Sequence, residues 1–227
     1  MNYLDIIILI FLAFGALLGF KRGFTRQLVS LVGLIVIIIL SFLLKNPISV
    51  FLYSNLPFFN LGGIFKDITI LNILIYEMIA FLIVFFILLF IFKILVKITN
   101  IFEKILKATI ILSIPSKILG AVLGIIESVI FTFIVLYILS LPTINFNIKD
   151  SKLGNTILYH TPILTNIGNN TLETFEEIVE LKKEYKNTNN LDEFNSNVIN
   201  KMIEKKVITE DNVKKLIDSG KIKNVKL

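Results

Sequence analysis

The chain has 227 residues, is 55% hydrophobic and carries a mean hydropathy of +0.82, more than a water-soluble domain of this length holds, so lipid must be part of its solvent. Its net charge of +6 sits almost wholly in residues 1–141, which hold ten basic and five acidic side chains against thirteen and twelve in 142–227; basic groups between apolar runs read as orientation signals, not as a nucleic-acid surface. The absence of cysteine excludes disulfides, thiolate metal sites and cysteine nucleophiles, and the single histidine, His160, leaves little for zinc or a catalytic triad.

Residues 3–20 form an apolar run with one ionisable side chain, Asp5. At ~1.5 Å per residue the run nearly crosses a hydrocarbon core of ~30 Å. No Lys or Arg precedes it, so it reads as a retained span and not as a cleavable signal. Gly15, Gly19 and Gly23 share one helical face, which lets a neighbouring backbone approach closely where hydrophobicity no longer favours burial. Lys21, Arg22 and Arg26 follow and mark the cytoplasmic end. Residues 28–44 are a second, uncharged run, so the first two spans make an antiparallel hairpin with the basic turn 21–27 inside and the N-terminus outside. Pro47, Pro57, Gly62 and Gly63 break regular structure in 46–69, an outer loop.

The third span, 70–92, is interrupted by Glu77. After it Lys93, Lys97, Asn100, Lys104 and Lys107 recur on one helical face with apolar residues opposite, which predicts an amphipathic inner helix over 93–107 lying on the anionic inner leaflet. The fourth span is 118–141, and an even count returns the chain to the outside. Ser116, Gly120, Gly124, Ser128 and Thr132 repeat at every fourth position as a second small-residue face, and 120–128 repeats 15–23 with four identities.

Three carboxylates fall within the spans: Asp5, Glu77 and Glu127. Asp5 and Glu77 lie towards the outer ends, within reach of interfacial water. Glu127 falls near the midplane, where an ionised carboxylate facing lipid costs at least ~2.5 kcal/mol, so it must face protein, take a proton or line a polar cavity. One reading is a proton or ion path through Glu127 and Glu77; the other is a neutral Glu127 hydrogen-bonded to Ser128 or Thr132, favoured because no Lys, Arg or His is seen in the spans as its relay partner.

Residues 142–170 mix Pro, Asn, Gly and Thr and read as an extended connector, with His160 a loop residue. Residues 171–227 read as a helical extracytoplasmic tail. Leu172, Phe175, Ile178, Leu181 and Tyr185 make one apolar stripe, Asn190 and Glu193 open a helix over 191–205, and Thr209 caps a further one that Gly220 ends. Short helices of this size bury a marginal core and need something to dock on.

Asp5, the segment 15–24 with its Lys21-Arg22-Gly23-Phe24 turn, and Leu119-Gly120-Ala121-Val122-Leu123-Gly124 together make residues 1–141 resemble the colicin V production protein family. The resemblance implies a bacterial plasma-membrane protein of about four spans that assists toxin production, export or envelope homeostasis, and it implies no reaction. The expected fold is therefore all-α and polytopic, with four transmembrane helices in a domain over 1–141, an interfacial amphipathic helix and a short helical tail. No enzymatic activity, cofactor, metal or nucleic acid is expected. The glycine faces predict a homo-oligomer or a complex with other membrane proteins. A small channel or proton-linked transporter using Glu127, and a membrane anchor for a binding tail, are the alternative roles.

Overall fold

The computed structural model describes residues 2–59, 70–99, 114–140, 144, 146–148, 150–161, 173–174, 176–182, 185, 191–222 and 225, and every regular element among the described residues is helical. The helices include α1 (Tyr3–Arg22), α2 (Phe24–Asn55), α3 (Leu71–Thr99), α4 (Ile114–Leu139), α5 (Lys152–His160), α6 (Leu191–Glu204) and α7 (Glu210–Asp218), and residues 173–174 and 176–182 are helical as well. The first four are long and apolar enough to cross a membrane, so the chain is an all-α, multi-pass membrane protein.

These helices outrun the hydropathy segments. Gly23, at φ +75°, is the whole of the turn expected over 21–27, and α2 starts at the next residue. α2 also runs through Pro47 to Asn55, into the stretch expected to be loop, because a membrane helix tolerates proline where neighbouring groups re-satisfy its backbone. α3 continues past 92 to Thr99 without a break, so Lys93 and Lys97 are exposed on the end of a span and not on a separate surface helix; Asn100, Lys104 and Lys107 lie outside the described residues.

The chain divides into two compact units. The first comprises Met1–Leu43, Leu82–Ser140 and Phe146–Leu164, the second Leu44–Phe81, Leu141–Asn145 and Thr165–Leu227, so α2 and α3 each contribute to both.

In the first unit α1 and α4 pack antiparallel through their small residues. A Cβ on Gly19 would collide with the Gly120 carbonyl, one on Gly124 with the Gly15 carbonyl, and one on Gly15 with Ser128 Oγ. Gly23 reaches the start of α4, where Phe24 N–H donates to Ser116 Oγ at 3.3 Å. Gly15, Gly19, Gly120 and Gly124 are buried while Ile10, Leu17 and Ile118 are exposed, the inverse of a soluble helix pair and the pattern lipid solvent dictates. The two glycine faces from which oligomers were expected are thus spent on each other within one chain.

Part of the stretch expected to be an extended connector is α5. Ser151 caps it by accepting from Gly154 N–H at 2.9 Å, and Ile157 and Leu158 are buried. His160 is its last residue, not a loop residue; nine residues are too few for the helical period to stand out in the sequence.

The second unit joins the last third of α2 and the start of α3 to the tail. Its apolar core includes Tyr53, Leu71, Leu74, Tyr76, Ile178 and Val198. Asn72 clamps Phe59, accepting from its N–H at 2.7 Å and donating to its carbonyl at 3.0 Å, and Tyr76 Oη donates to Pro57 O at 2.6 Å. Thr209 caps α7 by accepting from Asn212 N–H, with Glu210 and Asp211 in its first turn and Gly220 beyond its end at φ +70°. Lys221 then donates to the Tyr53 and Leu56 carbonyls, each at 2.8 Å, so the tail seals the last turn of α2.

Candidate functional site

Each intramembrane carboxylate has a protein partner, and those of Glu127 are not the Ser128 or Thr132 expected for it. Asp5 is buried, not open to interfacial water. Its Oδ2 accepts from Asn2 N–H at 3.1 Å, closing the first turn of α1. Its Oδ1 accepts from the Ser151 hydroxyl at 2.5 Å and from Leu153 N–H at 3.0 Å, so one carboxylate serves the N-termini of two helices, where aligned peptide dipoles favour negative charge. Nothing in the sequence links position 5 to position 151.

Glu77 is 3% exposed and Lys45, from α2, is 7% exposed; their charged atoms stand 2.6 Å apart. Lys45, expected at the edge of an outer loop, is therefore the buried cation the sequence reading did not find. It was hidden because α2 extends beyond the uncharged run, carrying Lys45 along the helix to face α3. Tyr53 is buried in the same unit, and its hydroxyl has no hydrogen-bond partner among the described residues.

Glu127 carries the most elaborate environment, all within the first unit. It accepts from Gln27 Nε2 and, at 2.9 Å, from the Ser30 hydroxyl, and the Arg22 guanidinium stands 3.9 Å away. Ser128 and Thr132, the partners expected for it, are engaged elsewhere: the Thr132 hydroxyl donates to the Ser128 carbonyl, while the Ser128 side chain meets Gly15. Gln27 and Ser30 lie in the first two turns of α2, which puts the carboxylate within roughly 10 Å of the Gly23 turn along the helix axis. Arg22 reaches back to it because side chains on a helix lean towards its N-terminus.

Beside Glu127 lies a groove of about 270 Å³. Its polar lining is Arg22, Gln27, Glu127 and Ser128; its apolar walls are Phe11, Phe14, Leu18 and Phe131, with Gly15 and Gly124 forming the floor where the two backbones touch. The small-residue face therefore both joins the helices and leaves room next to the joint. Of the basic residues read as topology signals, Lys21 and Arg26 are exposed; Lys117, in the first turn of α4 and not among them, places its ammonium 5.8 Å from the Phe20 ring centre. Among the described residues no group of three or more His, Asp or Glu side chains is placed to share a metal ion.

The family model for colicin V production protein matches residues 4–165, most of the chain, and the chain belongs to that family. The match spans α1 to α5 and includes Asp5, Lys45, Glu77 and Glu127. Searches of the curated proteins and of the solved structures return no match.

Proposed function

We propose that this member of the colicin V production protein family serves in the plasma membrane of a bacterium as a scaffold or partner-binding subunit for toxin production or export, and not as an enzyme. One observation carries the reading: the Glu127 carboxylate is held by two hydrogen-bond donors and a guanidinium drawn from two other helices. Such a group fixes helix positions; a proton carrier needs a carboxylate that can part from its neighbours. The basic turn at Lys21, Arg22 and Arg26 supports an orientation with both termini outside.

Deleting the chain from a toxin-secreting strain should lower secreted toxin at least tenfold, and the purified protein in liposomes should pass neither protons nor common ions. Proton flux that Glu127→Gln alters would sink the scaffold and establish the competing reading, a proton-linked path through the groove. In the same strain, a cysteine engineered at position 220 should react with an impermeant reagent added from outside, since the chain has no cysteine of its own.

A further inference from the structure

The groove of the first unit changes character along its length. Arg22 is the last residue of α1 and Gln27 lies in the first turn of α2, so the polar mouth sits at helix ends. Leu18, Phe14 and Phe11 succeed Arg22 along α1, carrying the apolar wall roughly 16 Å towards the middle of the helix. A phospholipid entering from the membrane boundary presents the same order of polarity: charged headgroup, then hydrocarbon.

The polar groups at the mouth have distinct needs. Gln27 is only 1% exposed, its Nε2 donates to Glu127, and its Oε1 has no partner among the described residues. A buried acceptor without a donor is destabilising, so this atom calls for a ligand bearing N–H or O–H. The neighbouring Glu127 carboxylate calls for positive charge. Arg22 answers that need only in part, at the outer ion-pair distance of 3.9 Å and not at hydrogen-bond distance. Its side chain is 46% exposed, which leaves guanidinium donors for an anion.

We propose that the groove binds a phospholipid with a primary-ammonium headgroup, as in phosphatidylethanolamine. The ammonium donates to Gln27 Oε1 and to the Glu127 carboxylate, the phosphate accepts from Arg22, and one acyl chain lies along Leu18, Phe14, Phe11 and Phe131. A trimethylammonium headgroup keeps the charge but has no N–H for Gln27. A glycerol headgroup has O–H donors but no cation for Glu127. Headgroup selectivity therefore reads out both contacts, independently of the role proposed above.

The chain contains no tryptophan, so Phe14→Trp installs a single fluorophore in the groove, and Phe90→Trp, at a 66% exposed position on α3, installs a control on the lipid-facing surface. The full-length chain is reconstituted in vesicles containing a minor fraction of brominated-chain lipid with an ethanolamine, choline or glycerol headgroup, and quenching is compared. The groove reporter should favour the ethanolamine lipid over both others by roughly fivefold, the worth of about one net hydrogen bond, and the control should show no preference. Gln27→Leu and Glu127→Gln should each erase the preference. Should either variant fail to fold, the comparison of headgroups in the otherwise unaltered chain decides alone, with Phe131→Trp as a second reporter. Equal quenching by all three lipids in the groove, or a preference for the glycerol headgroup, overturns the proposal.

Discussion

The α1–α4 pair and the α2–α3 pairing of the second unit solve one problem in opposite ways. Lipid tails are as apolar as leucine, so two helices gain nothing from hiding hydrophobic faces in each other. α1 and α4 remove their side chains at the joint and let backbones touch at Gly15, Gly19, Gly120 and Gly124. The second unit does the reverse, setting Lys45 against Glu77 and adding the Asn72–Phe59 and Tyr76–Pro57 bonds. The first joint is made of many weak contacts that depend on shape; the second is concentrated in a few polar groups that cannot be left alone.

The sharpest way to break that contrast is to remove one half of the buried ion pair. Lys45→Met leaves Glu77 without its cation, and Glu77→Leu leaves Lys45 without its anion; each should cost about 3–5 kcal/mol. The double variant Lys45→Met, Glu77→Leu should recover most of that loss, because two apolar side chains replace two charges. Detergent-driven unfolding of the purified chain measures all three. Single losses that simply add in the double variant would mean the groups stabilise the unit independently.

A smaller effect is expected at the glycine joint. Gly19→Ala and Gly124→Ala each drive a methyl group into a backbone carbonyl that cannot swing aside, at a cost of about 1–3 kcal/mol. Gly33→Ala should cost less, since the atoms it meets belong to the Phe92 ring, which can turn away. If all three substitutions destabilise equally in the same unfolding measurement, the α1–α4 joint is no tighter than an ordinary helix contact.

The two solutions also differ in how plainly the sequence displays them. Small residues at every fourth position announce a close-packed face, and both faces were legible, although which surface each would meet was not. Periodicity reports a face, never its partner, so the oligomer drawn from Gly19 and Gly124 had no more support than the intramolecular pair they form. The Lys45–Glu77 pair was invisible because ion pairing leaves no local pattern: the residues lie 32 positions apart, and Lys45 falls beyond the end of the uncharged run. Glu127 was legible as costly, but its partners Gln27 and Ser30 are about a hundred residues away, at the start of a helix whose first turn, which carries Gln27, looked like loop. Outside the spans, where capping rules act over four residues, Thr209, Glu210, Asp211 and Gly220 were readable one by one.

The tail supplies a third kind of joint and the smallest expected effect. Lys201 and Lys205 bridge Glu177 at 2.9 and 3.3 Å, with Glu173 also on Lys205 at 3.2 Å, and the carboxylates and ammonium groups are about a third exposed. The hydrogen bond from Lys201, with that from Lys205, holds the Glu177 carboxyl below its ordinary 4.5, and Glu173 with Glu177 raises Lys205 above its ordinary 10.5. For a depressed carboxyl the stabilisation is present above the unfolded value and lost as pH falls through the folded one; for a raised ammonium it is present below the unfolded value and lost as pH rises through the folded one. Neutral pH lies inside both windows. Glu177→Gln should therefore loosen the tail at pH 7 by less than about 1 kcal/mol, because water screens the pair. Hydrogen-exchange protection of the α6 amides, compared between the two full-length chains, measures it. The difference should vanish below the folded carboxyl value, where the parent chain has itself lost the charge. A gap that persists undiminished in acid would show that Glu177 acts through packing, and that the tail, like the α1–α4 joint, is held by shape instead of charge.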